Sequence, residues 1–162
     1  MGTWYALGDP GLVELVSLTP NGGCCVSQVF TAVITDGYGA VTIPSVQFAV
    51  NGSISSCLID YHRASNMFYL LNDAGTAWFP LAAESASQVS NSQCTLRGLG
   101  SGASVVGSSL SVTYNLTFPV SFFGIQKIYM QAADVNGTVE VWHQMGTWRV
   151  PFQTLPSASG QP

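Results

Sequence analysis

Four cysteines, at positions 24, 25, 57 and 94, are the side chains of this sequence best suited to covalent chemistry. No histidine stands near them at zinc-finger spacing and no C-x-x-C motif occurs, which argues against a structural zinc site. Adjacent strand residues point to opposite faces, so Cys24 and Cys25 are not expected to reach one partner strand together. We predict instead that Cys57, inside a predicted strand, is bonded to Cys94, just before another. This pairing indicates an oxidising compartment and contributes about 4 kcal/mol through loop closure.

The stretch "NGGCCVS" leaves two interpretations of Cys24 and Cys25. In the first, they are two thiols, or a vicinal disulfide ring, in a loop that leads into a strand. In the second, they link the chain covalently to another chain, because leftover thiols in a secreted protein indicate intermolecular pairing. The sequence keeps both interpretations open.

The remaining reactive side chains predict no catalytic centre. His62 stands beside Asp60 and Arg63, and His143 alternates with Trp142 in a predicted strand, so we expect both histidines to be structural or surface groups. No G-x-S-x-G motif is present. The acidic residues lie mostly in turns, where they cap the backbone, and the turns "NDAG" and "DVNG" each hold too few carboxylates for a calcium site. We therefore expect no catalytic residue, no metal site and no cofactor.

Aromatic side chains offer a different activity, the binding of a flat ligand. Trp78, Trp142 and Trp148, with six tyrosines, could form a stacking platform for sugar rings, as in carbohydrate-binding modules. Core packing explains the same residues equally well, because aromatic side chains bury large apolar areas.

The composition of the chain argues against several partners. Its 162 residues include 4 Lys and Arg against 8 Asp and Glu, a net charge of −4, so nucleic acid is not an expected partner. No apolar run is long enough for membrane insertion. The start, "MGTWYALGDP", lacks the basic and apolar regions of a signal peptide, so we expect the export signal to be absent from this sequence.

Strand patterns dominate the sequence. "LSVTYNLTF" (110–118) alternates apolar and polar side chains, which predicts a half-buried antiparallel strand. Other β-branched or aromatic runs of strand length occupy 26–35, 45–51, 57–61, 67–71, 125–132 and 138–145. Turn signals such as "TDGYG" and "NDAG" separate them. Segment 81–93 is predicted as a long loop or a short helix, and 98–109 as a flexible Gly/Ser connection with at most a short strand at its valines.

These patterns predict an all-β fold, an antiparallel sandwich of about seven to nine strands rather than a closed barrel. The sandwich is assigned to residues 11–152. Residues 1–10 are assigned to an additional N-terminal strand or to the remnant of a preceding module, and residues 153–162 to a flexible tail or linker.

Several blocks of the sequence resemble a known family. "RASNMFYLLNDAGT", "SNSQCTL", "FFGIQKIYMQAAD" and the closing "GTWRV" are similar to immunoglobulin-like, fibronectin-III-like modules of large exported bacterial proteins, often arranged in tandem. The resemblance covers roughly residues 12–151. It implies an immunoglobulin-like sandwich with the Cys57–Cys94 disulfide and no known catalysis. Cys24 and Cys25 depart from the family pattern, in which small polar residues stand at these positions.

The tripeptide "GTW" occurs at 2–4 and again at 146–148, where the family places its last strand. The first copy therefore predicts the end of a preceding module or a strand that pairs on a neighbour's open edge. We expect a non-catalytic extracellular or cell-surface structural or adhesive module, with other protein modules or copies of itself as partners and a self-assembling filament subunit as one form. The alternative is a carbohydrate-binding module of a secreted protein, with glycans as partners.

Overall fold

The computed structural model of the chain describes residues 12–51, 56–137 and 139–152, and within them the chain forms eleven β-strands. The strands are β1 (Val13–Thr19), β2 (Ser27–Asp36), β3 (Ser45–Val50), β4 (Cys57–His62), β5 (Met67–Leu71), β6 (Trp78–Ala82), β7 (Gln88–Ser90), β8 (Thr95–Val106), β9 (Ser109–Thr117), β10 (Gly124–Ala133) and β11 (Val139–Val150). Single turns of 3-10 helix, Ala40–Thr42 and Val120–Phe122, lie between them. No helix in the described ranges has the length and hydropathy to cross a membrane. The predicted segments 1–10 and 153–162 lie outside the described residues.

The strands form two antiparallel sheets that pack face to face as a sandwich. One sheet has five strands in the order β1-β2-β9-β8-β7, and the other has six in the order β11-β10-β3-β4-β5-β6. Neighbours within both sheets pair antiparallel. Across the sandwich, Phe30 of β2 and Tyr114 of β9 both pack on Phe48 of β3, so these strands face one another at the centre. The predicted fold class is confirmed, although the described strands outnumber the predicted ones.

The core lies between the inner faces of the sheets. On β9 the side chains of Leu110, Val112, Tyr114 and Leu116 are fully buried, and the residues between them are partly exposed, as the alternating sequence predicts. The ring of Tyr114 stacks on Phe48 of the opposite sheet, with centroids 4.4 Å apart. The aromatic stack therefore joins the two sheets at the centre of the core, where burial contributes most of the folding free energy.

The Tyr114 hydroxyl is an exception to this apolar packing. It is buried and has no hydrogen-bond partner among the described residues. Burial raises the pKa of this phenol, because the ionised form would lose its hydration. The hydroxyl therefore carries a desolvation cost that a phenylalanine would not have.

The Gly/Ser segment 98–109 differs from its prediction. Instead of a flexible connection, residues 95–106 form the long strand β8, which pairs with β9 and is irregular between Arg97 and Gly102. The backbone of Ser85 crosses so close to Gly98 that a Cβ there would collide with it. The glycines in this strand therefore allow close packing of a neighbouring loop. Likewise, segment 81–93 contains the end of β6 and the short strand β7 rather than a helix.

Candidate functional site: a cross-linked end, a clasped last strand and an open sheet face

The predicted Cys57–Cys94 disulfide joins the two sheets at one end of the sandwich. Cys57 opens β4 of the six-stranded sheet and Cys94 directly precedes β8 of the five-stranded sheet; their sulfurs are bonded and their Cα atoms lie 5.6 Å apart. Both residues are buried. The bond therefore prevents the two sheets from separating at this end.

Asn91 holds the loop before Cys94 against the six-stranded sheet. Its side-chain amide donates to the carbonyl oxygens of Ser56 and Leu71, at 3.0 and 2.9 Å. Its side-chain oxygen accepts from the backbone N–H groups of Gln93 and Cys94, at 2.8 and 3.0 Å. One asparagine therefore satisfies four backbone groups around the disulfide.

Two of the sequence blocks quoted above, which contain "YLLNDAG" and "SNSQC", meet at this cross-linked end. Asp73 of the first block accepts hydrogen bonds from the backbone N–H and the hydroxyl of Ser92 in the second, at 2.9 and 2.8 Å. Asn72 caps its own turn by accepting from the N–H groups of Thr76 and Ala77. These polar residues are explained by loop structure, and Asp73 is engaged in that structure rather than free for a cation.

Residues 21–25, which we call the clasp, run parallel to the end of β11. The N–H of Thr147 donates to the carbonyl of Asn21 at 3.1 Å, and the N–H of Arg149 to that of Gly23 at 2.9 Å. The N–H of Cys25 donates in turn to the carbonyl of Arg149 at 3.0 Å. The pairing of Cys24 with Arg149 is parallel. The clasp thus covers the outer edge of β11 over residues 146–150, and an uncovered sheet edge would be open to pairing with other chains.

Trp148 fastens the clasp from the core side. Its side chain is 3% exposed, its ring meets Phe30 edge-on at 5.1 Å, and its indole N–H donates to the carbonyl of Cys25 at 2.7 Å. Gly23, with a φ of 131°, lies on the ring, and a Cβ there would stand 2.9 Å from a ring carbon. A Cβ on Gly146 would collide with the Asn21 carbonyl. The "GTW" at 146–148 therefore packs against the clasp, and the ring of Trp148, one of the three aromatic residues considered for stacking on a ligand, is buried in the core.

The described chain enters and leaves the sandwich at opposite ends. Val13, the first residue of β1, pairs with Asp36 at the end of β2. Val150 ends β11 next to Arg149, which bridges Cys24 just before the start of β2. Because β2 is ten residues long, these two ends lie about 30 Å apart. Tension on the segment before Val13 first loads β1, which is paired with β2, and then the clasp, while tension after Val150 loads β11. The clasp and β11 would then be pulled in opposite directions along their common axis.

The other two predicted stacking residues lie far apart. Trp78 on β6 and Trp142 on β11 are 41% and 42% exposed, at the two edges of the six-stranded sheet. Five strand spacings of about 4.8 Å separate those edges, which places the residues about 24 Å apart. They cannot stack on the same sugar ring.

A polar row crosses the outer face of the six-stranded sheet between those edges. Tyr69, Asp60, Gln47 and Gln131 lie directly opposite one another on β5, β4, β3 and β10, and all four are half-buried. The Gln131 amide donates to the side-chain oxygen of Gln47. Beside them a shallow depression of about 200 Å³ is lined by Ser45, Gln47, Gln131, Ala132, Ala133 and Val139. We call Tyr69, Asp60, Gln47 and Gln131 the polar row.

Asp60 is the charged member of the polar row. Its Oδ2 lies 3.0 Å from Nε2 of His62, whose ring contacts that of Tyr69 at 4.7 Å. Its Oδ1 is buried and has no hydrogen-bond partner among the described residues. Because this oxygen is closed to solvent, a ligand on this face would contact the partly exposed amides of Gln47 and Gln131 and the Tyr69 ring, which make the polar row a candidate binding face.

The histidines and carboxylates form no larger cluster in the described ranges. His143 contacts Glu140 at 2.6 Å on the surface of β11, and His62 contacts Asp60. Asp134 accepts from the backbone N–H of Asn136 in its own turn. Within the described residues, no three His, Cys, Asp or Glu side chains are close enough together to hold a metal ion.

The sequence analysis missed the clasp and most of the polar row. Gln47 and Gln131 lie in the predicted strands "SVQFAVN" and "IQKIYMQA". Period-two alternation assigns both to the face opposite the core, but it does not show that they are neighbours. Comparison of the chain with protein-family models, curated proteins and solved structures found no match.

Proposed function

We propose that this chain is a non-catalytic structural module of an extracellular or cell-surface protein that carries tension from one end of its sandwich to the other. The observation that carries this proposal is the parallel clasp on β11, together with chain entry and exit at opposite ends. Its partners are neighbouring modules of a larger protein or further copies of itself. The disulfide and the resemblance to tandem exported modules support the extracellular assignment.

The direction of loading decides how well such a module resists force. When two parallel strands are pulled apart along their axis, all the hydrogen bonds between them must break together. When strands are peeled from one end, the bonds break one at a time and a lower force suffices. The three backbone bonds of the clasp, with the indole bond of Trp148, are loaded in the first way.

Single-molecule force spectroscopy on the full chain, held by its two termini, tests this proposal. Gly23→Ala places a methyl group against the Trp148 ring and should lower the unfolding force. Gly107→Ala is the matched control, because Gly107 also has a positive φ, of 59°, but an added Cβ meets nothing within 4 Å. Equal unfolding forces for Gly23→Ala and Gly107→Ala would show that the clasp does not bear the applied force, and would refute the proposal.

The polar row favours a second candidate function, the binding of a neutral glycan. The side-chain amides of Gln47 and Gln131 and the Tyr69 ring together offer the hydrogen bonds and the stacking surface that sugars use. Binding to a glycan array should be lost in Tyr69→Ala and retained in Tyr38→Ala, since Tyr38 is 64% exposed on a loop of the other sheet. An array with no bound glycan, or binding lost equally in both variants, would contradict this candidate.

A further inference from the structure

Cys24 and Cys25 end the clasp in a geometry that ordinary strand residues do not adopt. Their Sγ atoms lie 2.7 Å apart, within about 0.7 Å of the length of a disulfide bond. Neighbouring strand residues normally point to opposite faces. Here Cys25 has a φ of 124°, and this turn of the backbone brings both thiols to the same side.

The folded sandwich holds the two thiols in this position. The N–H of Cys25 is bonded to the Arg149 carbonyl, and its own carbonyl accepts from the buried Trp148 indole. A φ of this value is unfavourable in a residue other than glycine, and it persists only where the surroundings impose it. The contacts with β11 are those surroundings.

The pair is also open to reagents in solution. Cys25 is exposed and Cys24 is partly exposed, and both are free, whereas Cys57 and Cys94 are buried in their own bond. Accessible thiols are the ones that undergo exchange with external disulfides.

We propose that Cys24 and Cys25 form a redox-modification site that closes to a vicinal disulfide within one chain by exchange with a small-molecule disulfide. Cys25 loses its proton to solvent and attacks one sulfur of the reagent, which forms a mixed disulfide and expels the first thiolate. Cys24 then loses its proton and attacks the Cys25 sulfur, which forms the protein S–S bond and expels the second thiolate. Both thiolates take up protons, so two protein thiols are oxidised and one external disulfide is reduced.

Proximity favours closure within the chain over a link between chains. The second thiol is already 2.7 Å from the first, whereas a thiol of another chain arrives only at its solution concentration. The same attack would also resolve a link formed between two chains. The closed ring contains the peptide group that joins the two cysteines. The N–H of this peptide group belongs to Cys25 and donates a hydrogen bond to Arg149 of β11. Oxidation should therefore slow hydrogen exchange at the clasp amides.

The test uses the full chain with its exposed thiols reduced, treated with oxidised glutathione and followed by intact mass. We expect the native protein to lose the mass of two hydrogen atoms, to carry no glutathione and to remain monomeric on a non-reducing gel. Cys24→Ser should retain one glutathione on Cys25, because it has no second thiol to displace it. Three outcomes would overturn the proposal. The native protein could carry a stable glutathione adduct, it could form a disulfide-linked dimer, or its thiols could stay unreacted under conditions where Cys24→Ser reacts.

Discussion

Removal of the Cys57–Cys94 bond should destabilise the fold by a predictable amount. The bond spans a sequence separation of 37 residues, and a loop of this length corresponds to about 4 kcal/mol at 25 °C by the chain-entropy relation. Both cysteines are buried, so replacing them with alanines also removes two buried sulfur atoms, and the 4 kcal/mol is the part of the loss that comes from the cross-link. For a chain of 162 residues, the loss corresponds to a fall in Tm of about 8–16 °C.

Equilibrium unfolding in urea measures this loss as a shift of the midpoint in Cys57→Ala/Cys94→Ala. Cys24→Ala/Cys25→Ala is the matched control, because those thiols cross-link no sheets and their loss should change stability by less than about 0.5 kcal/mol. The extrapolated free energies, not only the midpoints, should be compared, since loss of a cross-link expands the unfolded chain and changes the m-value. Equal free energies of unfolding in the two double variants would refute the reasoning that the bond, rather than the surrounding loop contacts, holds this end together.

Three further predictions concern single residues. Asn91→Ala should lower the free energy of unfolding by about 2–4 kcal/mol in urea, because it strips partners from backbone groups beside the disulfide, whereas Asn136→Ala in an exposed turn should be nearly neutral. Tyr114→Phe should leave stability unchanged or raise it by about 1 kcal/mol, since it removes a buried hydroxyl that finds no partner among the described residues; a clear loss in thermal unfolding would disprove this. The hydrogen bond with Cys24 raises the pKa of the Cys25 thiol, so the rate of its reaction with a disulfide, followed by thiol titration, should rise about tenfold per pH unit below that pKa; a rate independent of pH would contradict this.

The regular strands could be predicted from the sequence because their inward residues alternate without interruption. β9 shows this most clearly, and β3, β4, β5 and β10 follow within a residue or so of their predicted bounds. β8 was missed because its glycines have the composition of a flexible connection, whereas a neighbouring loop actually requires them. β6 was not among the predicted strands; it contains Pro80, and proline is tolerated on an edge strand such as this one.

The functional features depend on contacts between residues distant in sequence. Trp148 could equally be a core or a ligand-binding residue until Gly23 and Phe30 are found beside it, more than a hundred positions away. Cys24 and Cys25 were assigned to opposite faces by the ordinary strand rule, and only the positive φ of Cys25 brings them together. Period-two patterns report burial, but they carry no information about which exposed residues become neighbours across a sheet.

A comparison of two pulling directions on the native chain tests the central claim most directly. Held by its two termini, the protein is loaded along the clasp and β11; held at Ser27 and Phe152, which lie at the same end of the sandwich, it is peeled strand from strand. Both measurements use the same native protein, so its equilibrium stability is the same in each. Forced unfolding is governed by the unfolding rate, so a difference in unfolding force reflects the direction of pulling. A tension-bearing module should unfold at a several-fold higher force when held by its termini. Equal forces in the two directions, or a lower force through the termini, would contradict the proposal that this sandwich is built to carry tension.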